Sequence, residues 1–81
     1  MNPYFEKEEE QKALIYNNAD YHRFFLEARK LDFRVSQRHD GRPMIKTDKW
    51  VVWSMLNYFS VPVHYFRGKN KTDFFIYPKK S

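Results

Sequence analysis

The chain has 81 residues, no cysteine, a net charge of +5 and an aromatic content of 20%. These values exclude disulfides and thiolate metal sites, and the length allows one small domain. No apolar run approaches the ~18 residues of a membrane span. The acidic start MNPYFEKEEE is unlike a targeting peptide. The composition therefore predicts a soluble, cytoplasmic protein with no membrane partner.

The charge is distributed unevenly along the chain. Residues 1–32 hold five Lys or Arg against seven acids, a balance of −2, whereas residues 33–81 hold ten against three, a balance of +7. This asymmetry predicts that the second half faces a polyanion, either nucleic acid or an acidic protein or nucleoprotein surface. The alternative is a basic surface that serves solubility without a specific partner.

The first third of the chain is predicted to be helical. Asn2 suits an N-cap, Pro3 suits the first turn, and a run of glutamates follows them. Residues 17–20 form a break or a second cap. Beyond them lies an apolar stripe at helical spacing, made of Tyr21, Phe24, Phe25, Ala28 and Leu31. One bent helix and a helix pair both fit this pattern.

A hairpin and a helix are predicted next. Phe33 and Val35 alternate with polar residues, as in a half-buried strand. Asp40-Gly41 is typical of a hairpin turn in which both central residues have positive φ. Pro43 restricts the return strand to an edge or to a very short pairing. Thr47 is the predicted N-cap of a helix over DKWVVWSMLNYFS.

The second hairpin, VPVHYFRGKNKTDFFIYP, contains two aromatic runs around a basic tip. A turn at Lys69-Asn70 sets Tyr65 opposite Phe74. Because side chains alternate across a strand, one face then carries Val63, Tyr65, Phe74 and Ile76, and the other carries His64, Phe66, Phe75 and Tyr77. Two apolar faces require either a cover on both sides or an exposed aromatic patch. Phe74, Phe75 and Ile76 are predicted to lie in the core, because large apolar residues are usually buried.

These elements predict one compact α+β domain over residues 1–81, with residues 79–81 as a flexible tail. Its order is an N-terminal helix or helix pair, a β-hairpin, a helix and a β-hairpin.

Trp50 lies on the polar side of the predicted helix, beside several cations. Aromatic rings next to cations suit base stacking with phosphate contact, and they equally suit a protein-binding hot spot. A buried Trp50 is the competing interpretation. The candidate residues for binding nucleic acid or another partner are Arg34, Arg38, Arg42, Lys46, Lys49, Trp50, Arg67, Lys69 and Lys71.

No catalytic or cofactor signature is recognisable in the chain. His22, His39 and His64 lack the spacing of metal ligands, so neither a metal nor a cofactor is predicted. A Gly-rich phosphate loop and a nucleophile elbow are also missing. The tip RGKNKTDF lacks the aromatic-Gly-aromatic run of an RNA-recognition motif.

Two segments resemble known families in their architecture. Residues 47–78, a helix followed by a hairpin with a basic tip, resemble the recognition helix and wing of winged-helix DNA-binding proteins, although the hairpin at 33–46 has no matching place in that fold. The segment FLEARKLDFRVSQRHDGRP resembles the small HicA-type ribonuclease toxins, which implies catalysis by His39. Those toxins carry Gly-Ser before the histidine, where this chain has Gln37-Arg38.

The sequence therefore favours a small non-enzymatic binding domain whose basic second half engages nucleic acid or a nucleoprotein. The alternative is a small phage-type inhibitor or adaptor that binds a host protein through an aromatic-basic surface. A ribonuclease that uses His39 is the third hypothesis.

Overall fold

The computed structural model describes residue 16 and residues 18–80. The helix predicted from Asn2, with its acidic first turns, lies outside the described residues. In chain order the elements are α1 (Ala19–Lys30), β1 (Ser36–Gln37), β2 (Pro43–Asp48), α2 (Val52–Tyr58), β3 (Val63–Arg67) and β4 (Asp73–Pro78). The predicted α+β class, with the order helix, hairpin, helix and hairpin, is confirmed.

Both ends of α1 are closed by local hydrogen bonds. The Asn18 side chain accepts bonds of 2.9 and 3.3 Å from backbone N–H groups of the first turn, so the predicted break at 17–20 is the cap of this helix. After the helix, Asp32 has a φ of 62°, and the Phe33 N–H donates to the Ala28 carbonyl at 3.1 Å. This pattern is that of a Schellman motif, with aspartate in the left-handed position where glycine is common.

The two hairpins join into one four-stranded antiparallel sheet with the order β1-β2-β4-β3. Strand β2 pairs with β4, which sets Ile45 opposite Ile76. Pro43 is the first residue of β2, where its missing N–H costs least, and the pairing with β1 is as short as predicted. Strand β2 is nevertheless a central strand of this sheet.

The turn between β1 and β2 differs from the prediction. Among its residues Gly41 alone has a positive φ, of 93°, so the expected left-handed Asp40 is wrong. The Arg38 N–H donates to the Arg42 carbonyl at 2.7 Å, and the Gly41 N–H donates to the Arg38 carbonyl at 2.8 Å. This arrangement matches a three-residue loop that ends in a left-handed glycine.

The second hairpin is shifted by two residues from the predicted register. Tyr65 lies opposite Ile76, and the predicted pairing with Phe74 is wrong. The shift arises because the Gly68 N–H donates to the Asp73 carbonyl at 2.8 Å, which closes a loop over residues 69–72. A two-residue shift keeps every side chain on its face, so the predicted division of the hairpin into two faces holds.

The core lies between the sheet and the two helices. Ile45 and Ile76 at its centre are fully buried, and Phe24 of α1 stacks on Phe59 with ring centroids 4.4 Å apart. Val52 of α2 completes the contact between helix and sheet. Within residues 16 and 18–80, neither helix is long and apolar enough to cross a membrane.

The turn that precedes α2 is closed by Asp48. Thr47, the predicted N-cap, belongs to β2 and is buried, so that prediction is wrong. The Asp48 carboxylate instead accepts bonds of 2.8 and 3.1 Å from the N–H groups of Trp50 and Val51. This places Trp50 in the turn that precedes the helix.

Candidate functional site

The sheet has a face turned away from both described helices, and this face is rich in aromatic side chains. We call it the open face. By the strand alternation it carries Ser36, Met44, Lys46, Asp48, His64, Phe66, Asp73, Phe75 and Tyr77. Because α1 and α2 both contribute to the core on the other side, neither of these helices covers the aromatic residues of the open face.

The aromatic rings of the open face contact one another in a row. Phe66 stacks on Phe75, with ring centroids 5.1 Å apart and an angle of 18° between the planes. Tyr77 lies 5.9 Å from Phe66 and 5.7 Å from His64, measured between ring centroids. A Cβ atom at Gly68 would lie 2.8 Å from the Phe75 ring, so glycine allows the loop to approach this stack closely. The face is therefore a preorganised aromatic platform.

Two arginines lie at one end of this platform. The Cζ atoms of Arg38 and Arg42 are 4.4 and 4.7 Å from the centroid of the Tyr77 ring. Both side chains also form ion pairs with Asp40. Arg42 is only 8% exposed, and its Nη1 donates to the Pro78 carbonyl at 2.9 Å. The Arg42 side chain therefore joins the β1–β2 turn to the end of β4 by a hydrogen bond. Arg38 borders the open face.

The ion pair in this turn changes the acidity of both partners. The hydrogen bond from the Arg42 side chain holds the pKa of the Asp40 carboxyl well below its usual range. In return, the hydrogen bond to Asp40 raises the pKa of the Arg42 guanidinium. Asp40 therefore stays ionised under mildly acidic conditions. Its negative charge compensates the positive charge of the buried Arg42 side chain.

Asp40→Asn should lower the stability of the protein in a pH-dependent way. Because the folded-state pKa of Asp40 lies below its unfolded value of about 3.9, its stabilisation is present above about pH 4 and is lost as the pH falls through the folded pKa. Urea midpoints of wild type and Asp40→Asn should differ at about pH 6, and the gap should narrow steadily below about pH 4. A gap that stays constant down to acidic pH would contradict this role.

Lys46 supplies a cation in the middle of the open face. It lies opposite Phe75 in the strand pairing, and its Nζ is 3.4 Å from the Asp73 carboxylate. The side chain is 61% exposed. Exposed ion pairs of this kind contribute little to stability, so the ammonium group can exchange Asp73 for a phosphate at low cost.

The remaining candidate cations lie near the β3–β4 loop, at the other end of the sheet. The Lys49 N–H donates to the Thr72 carbonyl at 3.0 Å, which joins the turn after β2 to the β3–β4 loop. That loop carries Lys69 and Lys71, both exposed. Arg67 at the end of β3 lies with its Cζ 5.9 Å from the Phe74 ring. Lys69 and Lys71 therefore lie in the loop at this end, whereas Arg67 lies on the helix side of the sheet with Phe74 and Lys49 lies beside Trp50.

Arg34 lies just before β1. It is exposed in the connection between α1 and β1, and its neighbours Phe33 and Val35 pack against the core. Continued by two residues, the β1–β2 register sets Arg34 beside Lys46, and the alternation with Phe33 and Val35 turns it toward the open face.

A second exposed aromatic surface lies around α2. Trp50 is 80% exposed, with the Lys49 Nζ 4.7 Å from its ring, and Trp53 is 62% exposed. The Trp53 ring contacts Tyr65 of β3 edge-on, with centroids 5.4 Å apart. The interpretation of Trp50 as a core residue is wrong, because it lies in the turn and points to solvent.

Three aromatic residues of the open face, Phe66, Phe75 and Tyr77, were not among the predicted binding residues. The alternation of side chains along each strand predicted that these three residues share one face of the sheet. The local sequence does not show which of the two faces the helices cover. Phe75 was expected inside the core with Phe74 and Ile76. The structure places Phe74 and Ile76 on the helix side and Phe75 on the open face.

The described residues contain no group of three or more His, Asp or Glu side chains that could hold a metal ion. His39 is exposed in the β1–β2 turn. It lines a shallow groove of about 450 Å³ together with Arg38, Phe66 and Tyr77. This groove is the continuation of the open face toward the turn.

Comparison with family models, characterised proteins and solved structures finds no match to this chain. Its function therefore has to be inferred from the geometry of the open face and the charges around it.

Proposed function

We propose that this protein is a non-enzymatic binding domain that engages single-stranded nucleic acid on its open face. The observation that supports this most strongly is the stack of Phe66 on Phe75, adjoining Tyr77, on a sheet face that neither described helix covers. Base stacking on aromatic side chains contributes roughly 1–3 kcal/mol per base and needs bases that are not already stacked in a duplex. The platform therefore suits a single strand.

The cations lie where the backbone of such a strand would pass. Arg38 borders one end of the platform, Lys46 lies in its middle, and Lys69 and Lys71 lie at the far end. The rings form two cross-strand pairs about 7 Å apart along the strands, and a six-residue strand such as β2 is about 20 Å long, so the rings with the cations at the two ends of the sheet span a few nucleotides. Phosphates that contact these cations release bound counterions, which favours binding at low salt.

Salt titration tests the electrostatic part of this proposal. The affinity for a fluorescent single-stranded oligonucleotide, measured by anisotropy, should fall linearly on a log–log plot against salt concentration. A duplex of the same sequence should bind more weakly. Arg38→Gln with Lys46→Gln should flatten the slope by roughly 0.7 for each phosphate that the protein no longer neutralises. Arg42 is left intact in this design because its burial makes it part of the fold.

Arg23→Gln serves as the matched control, because Arg23 is an exposed cation of α1, on the other side of the sheet from the open face. Its salt slope should stay close to that of the wild type. A wild-type affinity that does not depend on salt, or no binding at about 50 mM salt, would refute the proposal.

The second candidate function is a protein-binding inhibitor or adaptor, and the exposure of Trp50 and Trp53 supports it. Tryptophan is enriched among residues that dominate binding energy at protein interfaces. In this case the partner would contact the surface around α2. Trp50→Ala would then weaken protein binding while leaving the open face unchanged.

A further inference from the structure

Strand β3 is an edge of the sheet in the part of the chain that the structure describes. It is the last strand in the order β1-β2-β4-β3, and its residues from His64 to Arg67 are all exposed. Natural edge strands are usually protected by lysine, proline, a bulge or a covering element. The strand Val63–Arg67, with the sequence VHYFR, contains no proline and no lysine, and its one charged residue, Arg67, is its last. Its free backbone groups are therefore open to pairing with another strand.

Hydrogen bonds at both ends of the hairpin identify those free groups. The Lys79 N–H donates to the Pro62 carbonyl at 2.9 Å, and the Gly68 N–H donates to the Asp73 carbonyl at 2.8 Å. In an antiparallel ladder the N–H and C=O of one residue point to the same side, and successive residues alternate. The even-numbered residues of β3 therefore bond to β4, and Val63, Tyr65 and Arg67 point their backbone groups outward.

We propose that the β3 strands of two copies of this chain pair antiparallel about a twofold axis at Tyr65. In this register Tyr65 lies opposite the same residue of the second copy, and Val63 lies opposite Arg67. All three outward-pointing residues of each strand then face one another, and each facing pair exchanges both of its backbone hydrogen bonds. The edge is thus self-complementary in its hydrogen bonding.

The charges favour this register over its neighbours. Arg67 lies opposite Val63, so the pairing brings no like charges together. Sliding one strand by two residues in one direction would set Arg67 opposite Tyr65 and leave the outward groups of Val63 unpaired, and sliding it by four would set the two copies of Arg67 opposite each other, which is destabilising. A shift in the other direction would leave the outward groups of Arg67 unpaired. The register centred on Tyr65 is therefore the one that the sequence of β3 favours.

Side chains on both faces of the sheet fit the same arrangement. On the helix side, Trp53 and Tyr65 are 62% and 42% exposed, and the pairing brings the Tyr65 rings of the two copies together beside the Trp53 rings. On the other side, His64 of one copy lies opposite Phe66 of its partner. The two open faces then form one platform, a consequence that rests on the proposed function, whereas the pairing itself does not.

The oligomeric state of the protein without nucleic acid tests this pairing. Sedimentation over a range of concentrations should show a species of about twice the 10.0 kDa of one chain. Tyr65→Lys should sediment as a single chain, because it sets two ammonium groups opposite each other at the axis. His64→Lys is the matched control on the same strand, and it should keep the wild-type mass because His64 faces Phe66. Circular dichroism should show that both variants are folded.

Disulfide trapping tests the pairing of the two β3 strands independently, in case the Tyr65→Lys variant does not fold. The chain has no cysteine, so Tyr65→Cys introduces one thiol per copy. Residues that face each other in a hydrogen-bonded pair have Cα atoms about 5.5 Å apart, within the range of a disulfide. Tyr65→Cys should therefore cross-link under mild oxidation much faster than Lys69→Cys, which places the thiol in the β3–β4 loop.

Three results would each overturn the pairing: a wild type with the mass of one chain at every concentration, a folded Tyr65→Lys variant with the wild-type mass, or equal cross-linking rates of the two cysteine variants. Because no oligonucleotide is present, these outcomes are separate from any failure of nucleic-acid binding.

Discussion

Phe24→Ala is expected to lower the free energy of unfolding by about 3–5 kcal/mol. Phe24 is fully buried between the sheet and α2 and stacks on Phe59, so its truncation removes the central contact of α1 with the core. Domains are stabilised by only about 0.05–0.15 kcal/mol per residue, so a loss of this size removes a large part of the stability of an 81-residue chain. Urea denaturation followed by circular dichroism measures the effect.

Leu26→Ala is the matched control for this experiment. Leu26 lies on the same helix but is 45% exposed, and its truncation should change the free energy of unfolding by about 0.5 kcal/mol or less. Similar denaturation midpoints for the two variants would contradict the assignment of Phe24 to the centre of the core.

Phe66→Ala combined with Phe75→Ala should remove most of the affinity for a single strand. At roughly 1–3 kcal/mol for each stacked base, losing both rings should cost about 2–6 kcal/mol, or at least about 30-fold in Kd. Both rings lie on the open face, outside the core cluster, so the variant should remain folded. Anisotropy at one fixed salt concentration measures the change in Kd.

Trp50→Ala is the control for this double variant, because Trp50 is more exposed than either phenylalanine but lies in the turn before α2. It should keep the wild-type Kd. If Trp50→Ala weakens binding more than the loss of the two phenylalanines, the strand binds around α2 and the open face is not the site.

Much of the fold was predictable because local patterns were strong. The spacing of Phe24, Phe25 and Ala28 predicted the buried stripe of α1, and all three are buried. The alternation in β3 and β4 predicted which side chains share a face. That division holds despite the error in register, because a shift of two residues preserves the alternation.

The joining of the two hairpins into one sheet was not predictable in the same way. Strand β2 pairs with β4, which is distant in the chain, and no local pattern encodes that contact. The pairing determines which face of the second hairpin is covered. It also brings the Pro78 carbonyl to Arg42, which buries a residue that its charge had suggested as a binding residue. The open face became recognisable only with this long-range contact.

Nucleic-acid binding on the open face can be mapped through the amide resonances of the protein during titration with a single-stranded oligonucleotide. Binding there should shift the amides of Lys46, Phe66, Phe75 and Tyr77 first, together with those of Arg38 and the β3–β4 loop. The amides of α2 should change little. Shifts concentrated on Trp50, Trp53 and the rest of α2, or no shifts at a several-fold excess of oligonucleotide, would contradict the claim that the open face binds nucleic acid.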